Sequence, residues 1–317
     1  MKRINNIYQK ICSLDNLRRA DETARKGKRN SYGVKLHEVN KEENILKLQK
    51  MLIDKTFKTS EYQVFKIYEP KERYIYRLPY YPDRILHHAI MNVLEPVWIK
   101  TFTADTHSCI KGRGIHSCAE KVKQALRADV AGTKYCFKSD IIKFYPNVNH
   151  EILKEILARK IKDKDVLWLL GEIIYSADGV PIGNYLSQYF ANLYLAYFDH
   201  WVKEEKKVKY YYRYADDMVF LGSSKDELRQ LFIEIQFYLW ENLKLEIKGN
   251  HQIFPVSARG IDFVGYRFWH THTLLRKGIK KNFARAAAKG NMPKSIHSYL
   301  GWAKHCNSKN LIKKLTK

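Results

Sequence analysis

Adjacent carboxylates are the first residues here that could do chemistry. Asp216 and Asp217 interrupt YYYRYADDMVFLGSS, an otherwise aromatic and aliphatic run from Tyr210 to Ser224. A third carboxylate, Asp140, stands near the end of KYCFKSDII, a short strand-like segment. If Asp216 and Asp217 lie at the tip of a hairpin that neighbours this strand, three carboxylates converge on one rim of a sheet. Their repulsion would raise their pKa values and cost stability unless cations are present. Magnesium resolves the conflict, because it takes hard oxygen ligands in octahedral geometry and keeps sites for substrate phosphates. Two such ions about 3.5–4 Å apart can activate a 3′-hydroxyl and stabilise a leaving pyrophosphate. Neighbouring side chains on a strand point to opposite faces, but a tight turn can bring both to one centre. The plain alternative is a solvated Asp-Asp turn, whose flanks should be polar; these flanks are strongly apolar.

The whole chain supports a polyanionic partner. Its 57 Lys and Arg against 33 Asp and Glu give a net charge of +24, and 22 Tyr and 14 Phe offer stacking faces. Such a surplus favours phosphate-rich polymers and association steered by charge. Five cysteines, at 12, 109, 118, 136 and 306, form no CxxC pair or zinc-spaced cluster, which suggests reduced thiols in a cytosol-like compartment. No secretory signal and no apolar run of membrane-spanning length is evident.

Periodicity then places the elements. A short helix is predicted near 4–20, a flexible link through KGKRNSYG, and a helix from Asn40 to Lys55. EYQVFKIYEPKERYIYRLP alternates about a turn signal and reads as a hairpin. Helices follow at about 82–99, after the glycine-rich CIKGRG loop, across most of 149–175, and along 185–205. A hairpin spans about 207–221, and KDELRQLFIEIQFYLWENL is helical. LKLEIK and IDFVGYRF read as strands, and the last ~48 residues as basic and helical with little β signal. Helices and hairpins without regular βαβ alternation predict an α+β fold.

With those residues in place, the sequence resembles the reverse transcriptases. YADD (Tyr214–Asp217) is similar to their central motif, and FKSDIIKFYPNV (137–148) to their first catalytic block. ERYIYRLPYYPDRILHHAIMNVLEP and HSCIKGRGIHSCAEKVKQAL resemble successive fingers blocks. GVPIGNYLSQYFANLYLAYFDHWV resembles the template- and nucleotide-contacting helix, and GIDFVGYRF the primer grip. The blocks follow in family order over roughly 60–270. The resemblance implies a right-hand polymerase with fingers, palm and a short helical thumb. It implies Asp140, Asp216 and Asp217 as catalytic and metal ligands, with the carbonyl of Ile141 as a further ligand.

The same resemblance implies the nucleotide pocket. Tyr145, five residues after Asp140, corresponds to an aromatic steric gate that excludes a 2′-hydroxyl. Lys71 and Arg73, beside the presumed fingers turn, correspond to cations that reach the triphosphate. Ile182, Gly183 and Gln188 fall at the nucleotide-contacting positions. Arg84, Lys111, Arg113, Ser187, Gly265 and Tyr266 fall at template- and primer-contacting positions. A family lysine that can protonate pyrophosphate has its usual position at His251; Lys248 stands close by, and either could be the general acid.

Most members carry glutamine before the glycine and proline after the serine, whereas this chain has Ile182 and Gln188. IGxxxSQ resembles the reverse transcriptases of diversity-generating retroelements, and SYLGWAKHCNSKNL (298–311) their short thumb. That implies copying of a template-repeat RNA into cDNA with errors opposite adenines. Two magnesium ions, or manganese, would serve as cofactor. The implied partners are template RNA, the RNA/cDNA duplex, dNTPs and an accessory variability protein that is a pentameric helical bundle, with no membrane. A cytoplasmic location in a bacterial, archaeal or phage-encoded system is expected. The expected domains are a basic extension at 1–34, fingers and palm at 35–268 (fingers mainly 35–130 and part of 149–180), and a thumb at 269–317. The alternatives are a group II-like or antiviral-defence reverse transcriptase, from which the compact length distinguishes an intron maturase, and a catalytically silent RNA-binding polymerase fold.

Overall fold

Helical spacing in the first hundred residues produces helices, and the alternating segment after them produces a hairpin. The computed structural model describes residues 3–68, 72–288 and 294–315. In chain order α1 (Tyr8–Cys12), α2 (Leu14–Ala24), α3 (Tyr32–Val39) and α4 (Lys41–Ile53) precede β1 (Gln63–Tyr68) and β2 (Glu72–Arg77). Then come α5 (Ile85–Ile99), α6 (Ile115–Ala128), β3 (Tyr135–Asp140), α7 (His150–Ala158), α8 (Lys164–Ile174), α9 (Tyr185–Tyr194) and α10 (Ala196–His200). β4 (Tyr210–Tyr214), β5 (Asp217–Gly222), α11 (Lys225–Leu243), β6 (Gln252–Pro255) and α12 (Val256–Arg259) follow. β7 (Ile261–Phe263), β8 (Tyr266–Phe268), β9 (Thr273–Leu275), α13 (Lys277–Ala287), α14 (Lys294–Ala303) and α15 (Lys309–Leu315) complete the chain.

Several expectations are corrected at this level. The helix predicted at 4–20 is two helices, because Ser13 leaves the helical region and its hydroxyl accepts from the Asn16 N–H to cap α2. The helix predicted along 185–205 is broken into short segments after Tyr194. LKLEIK is not a strand; Ile247 forms one isolated bridge with Ile141. IDFVGYRF is two strands, because Val264 and Gly265 both take positive φ and turn the chain back. β6 and β9 carry no strong alternation and were not expected. The turn of the first hairpin, including Lys71, lies outside the described residues.

The chain forms two compact units. One comprises Met1–Phe102, Lys143–Tyr197 and Leu243–Leu245; the other comprises Thr103–Ile142, Phe198–Asn242 and Glu246–Lys317. In the first unit the N-terminal helices pack on α5. Buried Asp21 accepts from the Tyr80 hydroxyl at 2.6 Å and pairs with Arg25. Asp163 caps α8 and also accepts from the Ile7 and Tyr8 N–H groups, which fastens the start of the chain. β1 and β2 pair antiparallel.

The second unit is built on a four-stranded antiparallel sheet of order β4-β5-β3-β6. One face carries Cys136, Tyr212, Val219 and Leu221, packed with Cys118, Ala119 and Val122 of α6. On the other face Phe137 stacks on Phe220 at 5.1 Å and meets Phe232 of α11 edge-on at 5.5 Å. Burial on both faces explains why the strands around the carboxylates read as unbroken apolar runs, not as alternation. A second sheet, β7-β8-β9, shares the α6-side core.

Candidate active site

Register brings the carboxylates together. In the β3–β5 pair Asp140 lies directly opposite Asp217, the last residue of one strand against the first of the other. Directly opposed residues of an antiparallel pair share a face, with Cβ atoms about 4.5–5.5 Å apart. Asp216 occupies the two-residue turn between β4 and β5, which closes because Ala215 takes φ of 54°. That left-handed conformation is unfavourable for alanine, and a buried arginine braces it. The Arg213 guanidinium donates to the Ala215 carbonyl at 2.9 Å, and its other nitrogens bind Asp199 at 2.7 and 2.5 Å. Asp199 also accepts from Tyr211 and Thr106, at 2.7 and 2.8 Å. Arg213 and Asp199 are both fully buried.

The electrostatics match acids crowded in a half-buried corner. Burial, then the hydrogen bond and repulsion from Asp140, push Asp216 up to about 7. Burial pushes Asp217 up to about 6; Lys138 opposes the rise and Asp140 adds to it. Two lysines act as local counterions. Lys138, two residues before Asp140 on the same strand face, has its Nζ 3.4 Å from Asp217. Lys248 forms an ion pair with the Asp140 carboxylate, and its N–H donates to the Asp140 carbonyl at 2.8 Å. Asp217 Oδ1 is buried without a hydrogen-bond partner.

These residues fit a divalent cation by the chemistry of their donors: hard oxygens, pKa values of Asp216 and Asp217 raised by burial and by Asp140, and one orphaned carboxylate oxygen. Among the described residues, no group of three or more His, Cys, Asp or Glu side chains is gathered tightly enough to hold a metal as it stands. The lysine pairs are the contacts a cation would replace. Ile141 is buried beside them, and the two bonds of its bridge use the carbonyls of Asp140 and Glu246 rather than its own.

The two lysine-position candidates are placed differently. Lys248 touches Asp140, whereas the His251 ring stacks on Phe232 at 3.9 Å and meets Phe137 edge-on. At the β7–β8 turn, a Cβ added to Gly265 would stand 2.3 Å from the Trp302 ring. Tyr266 is fully buried, its hydroxyl donating to the Trp302 carbonyl at 3.0 Å and lying 3.0 Å from His116 Nδ1. Its side chain is therefore packing, not a surface a nucleic-acid strand could touch. Lys111 is exposed, and Arg113 donates to the Thr103 carbonyl at 2.8 Å.

The remaining predicted residues lie in the first unit. Tyr145 is half-buried, and its carbonyl accepts from the Val180 N–H at 2.8 Å. Gly179 permits this approach, since a Cβ there would stand 2.4 Å from the carbonyls of Tyr145 and Pro146. Ile182 is half-buried and its carbonyl accepts from the Tyr76 N–H at 2.8 Å, joining β2 to this segment. Ser187 is buried, Gln188 is exposed on the first turn of α9, and Arg73 is exposed on β2.

Arg84 and Gly183, read from sequence as contacts to different ligands, line one cavity of about 1060 Å³. Lys28, Arg29 and Arg77 line it too, with Tyr32, Tyr76 and Tyr185, and among the described residues no carboxylate does. Burial and the charges of Arg84 and Arg77 lower the pKa of Lys28. Burial lowers that of Arg84, whose Nε is buried without a partner. The sequence reading missed Lys28, Arg29 and Arg77 because they are scattered through a basic chain. It missed Arg213, although a lone cation within YYYRY was a signal of a buried pair.

A profile of the family described as reverse transcriptase (RNA-dependent DNA polymerase) matches residues 68–268. The chain belongs to the reverse transcriptase family. This reverse transcriptase is similar to Protein YkfC of Escherichia coli K12, 24% identical over 250 residues, covering 64% of this chain and 65% of that protein. It is also similar to the group II intron-encoded protein LtrA of Lactococcus lactis subsp. cremoris, 21% identical over 280 residues, covering 64% of this chain and 46% of that protein. Among solved structures, telomerase from Candida albicans in complex with a TWJ fragment of telomeric RNA matches with TM-score 0.55 at 11% identity. That match covers 73% of this chain and 51% of the telomerase chain. Apo telomerase from Candida tropicalis, truncated from its C-terminal domain, matches with TM-score 0.51 at 13% identity over 70% of this chain and 55% of that one. The reverse transcriptase has the α+β right-hand polymerase fold, and among its described residues no helix is long and apolar enough to cross a membrane.

Proposed function

We propose that this chain is an RNA-directed DNA polymerase that copies a template-repeat RNA into cDNA with low fidelity, as the reverse transcriptases of diversity-generating retroelements do. The observation that carries polymerase chemistry is the Asp140–Asp217 register with Asp216 in the adjoining turn. The reaction is attack of a primer 3′-hydroxyl on the α-phosphate of a dNTP, with release of pyrophosphate. Magnesium, or manganese, held by Asp140, Asp216, Asp217 and the Ile141 carbonyl would supply nucleophile activation and charge neutralisation. Lys248, already an ion-pair partner of Asp140, is better placed than His251 to give a proton to the pyrophosphate. Tyr145 closes the sugar pocket against a 2′-hydroxyl, and Lys71 and Arg73 bind the triphosphate. The cavity cations Lys28, Arg77 and Arg84 bind template phosphates, and Lys111 and Arg113 act on the same backbone.

The retroelement reading rests on Ile182 and Gln188. An aliphatic side chain at 182 removes a hydrogen-bonding group from the surroundings of the nascent pair. A few kcal/mol at the transition state separates accurate from inaccurate copying. In this reading an accessory variability protein, a pentameric helical bundle, assists copying in the cytoplasm. The extension is 1–34, fingers and palm 35–268, and thumb 269–317. Similarity to LtrA favours the second reading, an accurate group II-like enzyme.

Primer extension on RNA with magnesium, followed by sequencing of the product, separates the readings. Frequent errors opposite adenine support the retroelement assignment, and accurate extension supports the group II-like one. RNA binding without extension, alone or with the accessory protein, would leave a silent polymerase fold.

A further inference from the structure

The peptide group between Gly179 and Val180 is bonded through both of its polar atoms. Its N–H donates to the Tyr145 carbonyl at 2.8 Å. Its C=O lies 2.7 Å from His150 Nε2; a carbonyl only accepts, so that nitrogen carries the proton and donates. Both partners come from one short stretch of chain. Tyr145–Asn147 is a brief helical turn, Asn149 caps α7 by accepting from the Ile152 N–H at 3.1 Å, and His150 is the first residue of that helix. The turn and the helix start therefore hold residues 145 and 150 at a set spacing.

The backbone needs such a hold at this point. Gly179 takes φ of 59°, and a glycine beside a peptide group lowers the cost of turning that group over. Reversal would aim the Val180 N–H away from Tyr145 and the Gly179 carbonyl away from His150. Two residues further on, the Ile182 carbonyl accepts from the Tyr76 N–H at 2.8 Å. Residues 180–182 are thus a short bridge, tied to the Tyr145 turn at one end and to β2 at the other. The His150 ring is itself steadied, since Tyr175 meets it edge-on at 5.2 Å and the Tyr175 hydroxyl accepts from Lys154 of α7 at 2.8 Å.

We propose that His150 is a positioning residue for nucleotide selection: by holding the Gly179–Val180 peptide group it fixes Tyr145 relative to Ile182. The proposal deepens, and rests on, the reading of Tyr145 as the gate against a 2′-hydroxyl. His150 touches no substrate; it acts through the peptide group on the tyrosine turn. Without its N–H the turn and the bridge can shift against each other. A gate that must reject one extra oxygen tolerates little looseness, because selective sites need their groups placed to within about 0.5 Å.

The test is the ratio of kcat/KM for a dNTP to that for the matching rNTP, measured by primer extension on RNA with magnesium. A ratio taken on one preparation does not depend on how much of it is folded, so a merely structural defect cancels. His150→Phe keeps a ring against Tyr175 and loses the donor; its ratio should fall by about tenfold. His150→Gln supplies an N–H in place of Nε2, and its ratio should stay within about threefold of the parent. Tyr145→Val should abolish most of the discrimination, and adding His150→Phe to it should change the ratio no further, because the two residues act as one unit. An unchanged ratio in His150→Phe overturns the proposal. So does a glutamine variant no better than the phenylalanine one, or a His150→Phe effect that persists undiminished beside Tyr145→Val. If Tyr145→Val itself leaves the ratio at the parent value, the gate reading falls and the proposal falls with it.

Discussion

The carboxylates at the β4–β5 turn and the cations around the cavity of the first unit are both crowds of like charge, but they are held differently. Asp140 and Asp217 each have a lysine within reach, Lys248 and Lys138. Among the described residues, the cavity lined by Lys28, Arg77 and Arg84 includes no carboxylate. Strand register and a buried guanidinium fix the acids, so their repulsion cannot be relieved by moving apart. The cations sit on a loop, a strand end and a helix start, and their neighbours are tyrosines. The acids are thus positioned to exchange a local ammonium for another cation. The cations are positioned to receive an anion that the described lining of the cavity does not supply.

The most severe break is Asp216→Asn. Loss of one carboxylate from the turn should lower nucleotide incorporation by about a thousandfold or more, read by single-turnover extension. The same change should stabilise the protein in chelator. A carboxyl raised to about 7 in the folded state contributes stability below its unfolded pKa, near 4, and loses it as pH rises through 7. An amide at this position has no such loss, so the variant should be more stable at pH 8 by about 2 kcal/mol in denaturant melts. An active Asp216→Asn enzyme would remove these acids from the chemistry.

Arg213→Ala breaks the brace instead of the acids. It leaves Asp199 buried without its guanidinium and the Ala215 carbonyl without its donor. Removing one partner of a buried pair costs about 3–5 kcal/mol, so the sheet unit should melt much earlier. Arg213→Ala together with Asp199→Asn should recover part of that loss, because no buried charge is then stranded. If the single variant melted like the parent, the turn would be held by strand pairing alone.

How far the sequence could show these features depends on their range. The three aspartates were legible because a polar pair inside an apolar run conflicts with its surroundings, and the family blocks placed Asp140 beside it. Helix α11 matched its predicted limits, since its period is local and unbroken. Lys248 against Asp140 was not legible, because the pair is made across 108 residues by one bridge at Ile247. Tyr266 read as a contact residue by motif position, yet packing against Trp302 buries it. Arg84 was read from its motif position, but its companions Lys28, Arg29 and Arg77 were invisible for a related reason: in a chain with 57 Lys and Arg, only tertiary structure says which ones gather.

Acid pH should act on the two regions with opposite sign. Burial, with the charges of His88 and Arg84, lowers His87 to about 3; burial, with Arg84 and Lys28, lowers His88 to about 4. An unfolded histidine takes its proton near 6.5 while these stay neutral. Their contribution is therefore intact above pH 7 and falls as pH drops toward 4. The raised aspartates regain stability over the same interval. His88→Gln should flatten the acid limb of a stability–pH curve by about 2 kcal/mol at pH 5, whereas Asp216→Asn should flatten the opposite limb. Equal effects of both variants at every pH would mean that the two crowds of charge are not distinct.

The smallest predicted effect is the most specific to the cavity. If Arg77 meets a template phosphate, replacing it by glutamine removes one released counterion on binding single-stranded RNA. The slope of log K against log salt should then shrink by about 0.7, so between 50 and 200 mM salt the variant loses about threefold less affinity than the parent. Arg73→Gln, on the exposed edge of β2 and outside the cavity lining, is the matched control, and its slope on RNA without dNTP should stay within error of the parent. A change shared equally by both variants would assign the effect to the net charge of +24 and not to the cavity, because a diffuse field does not distinguish one surface arginine from another.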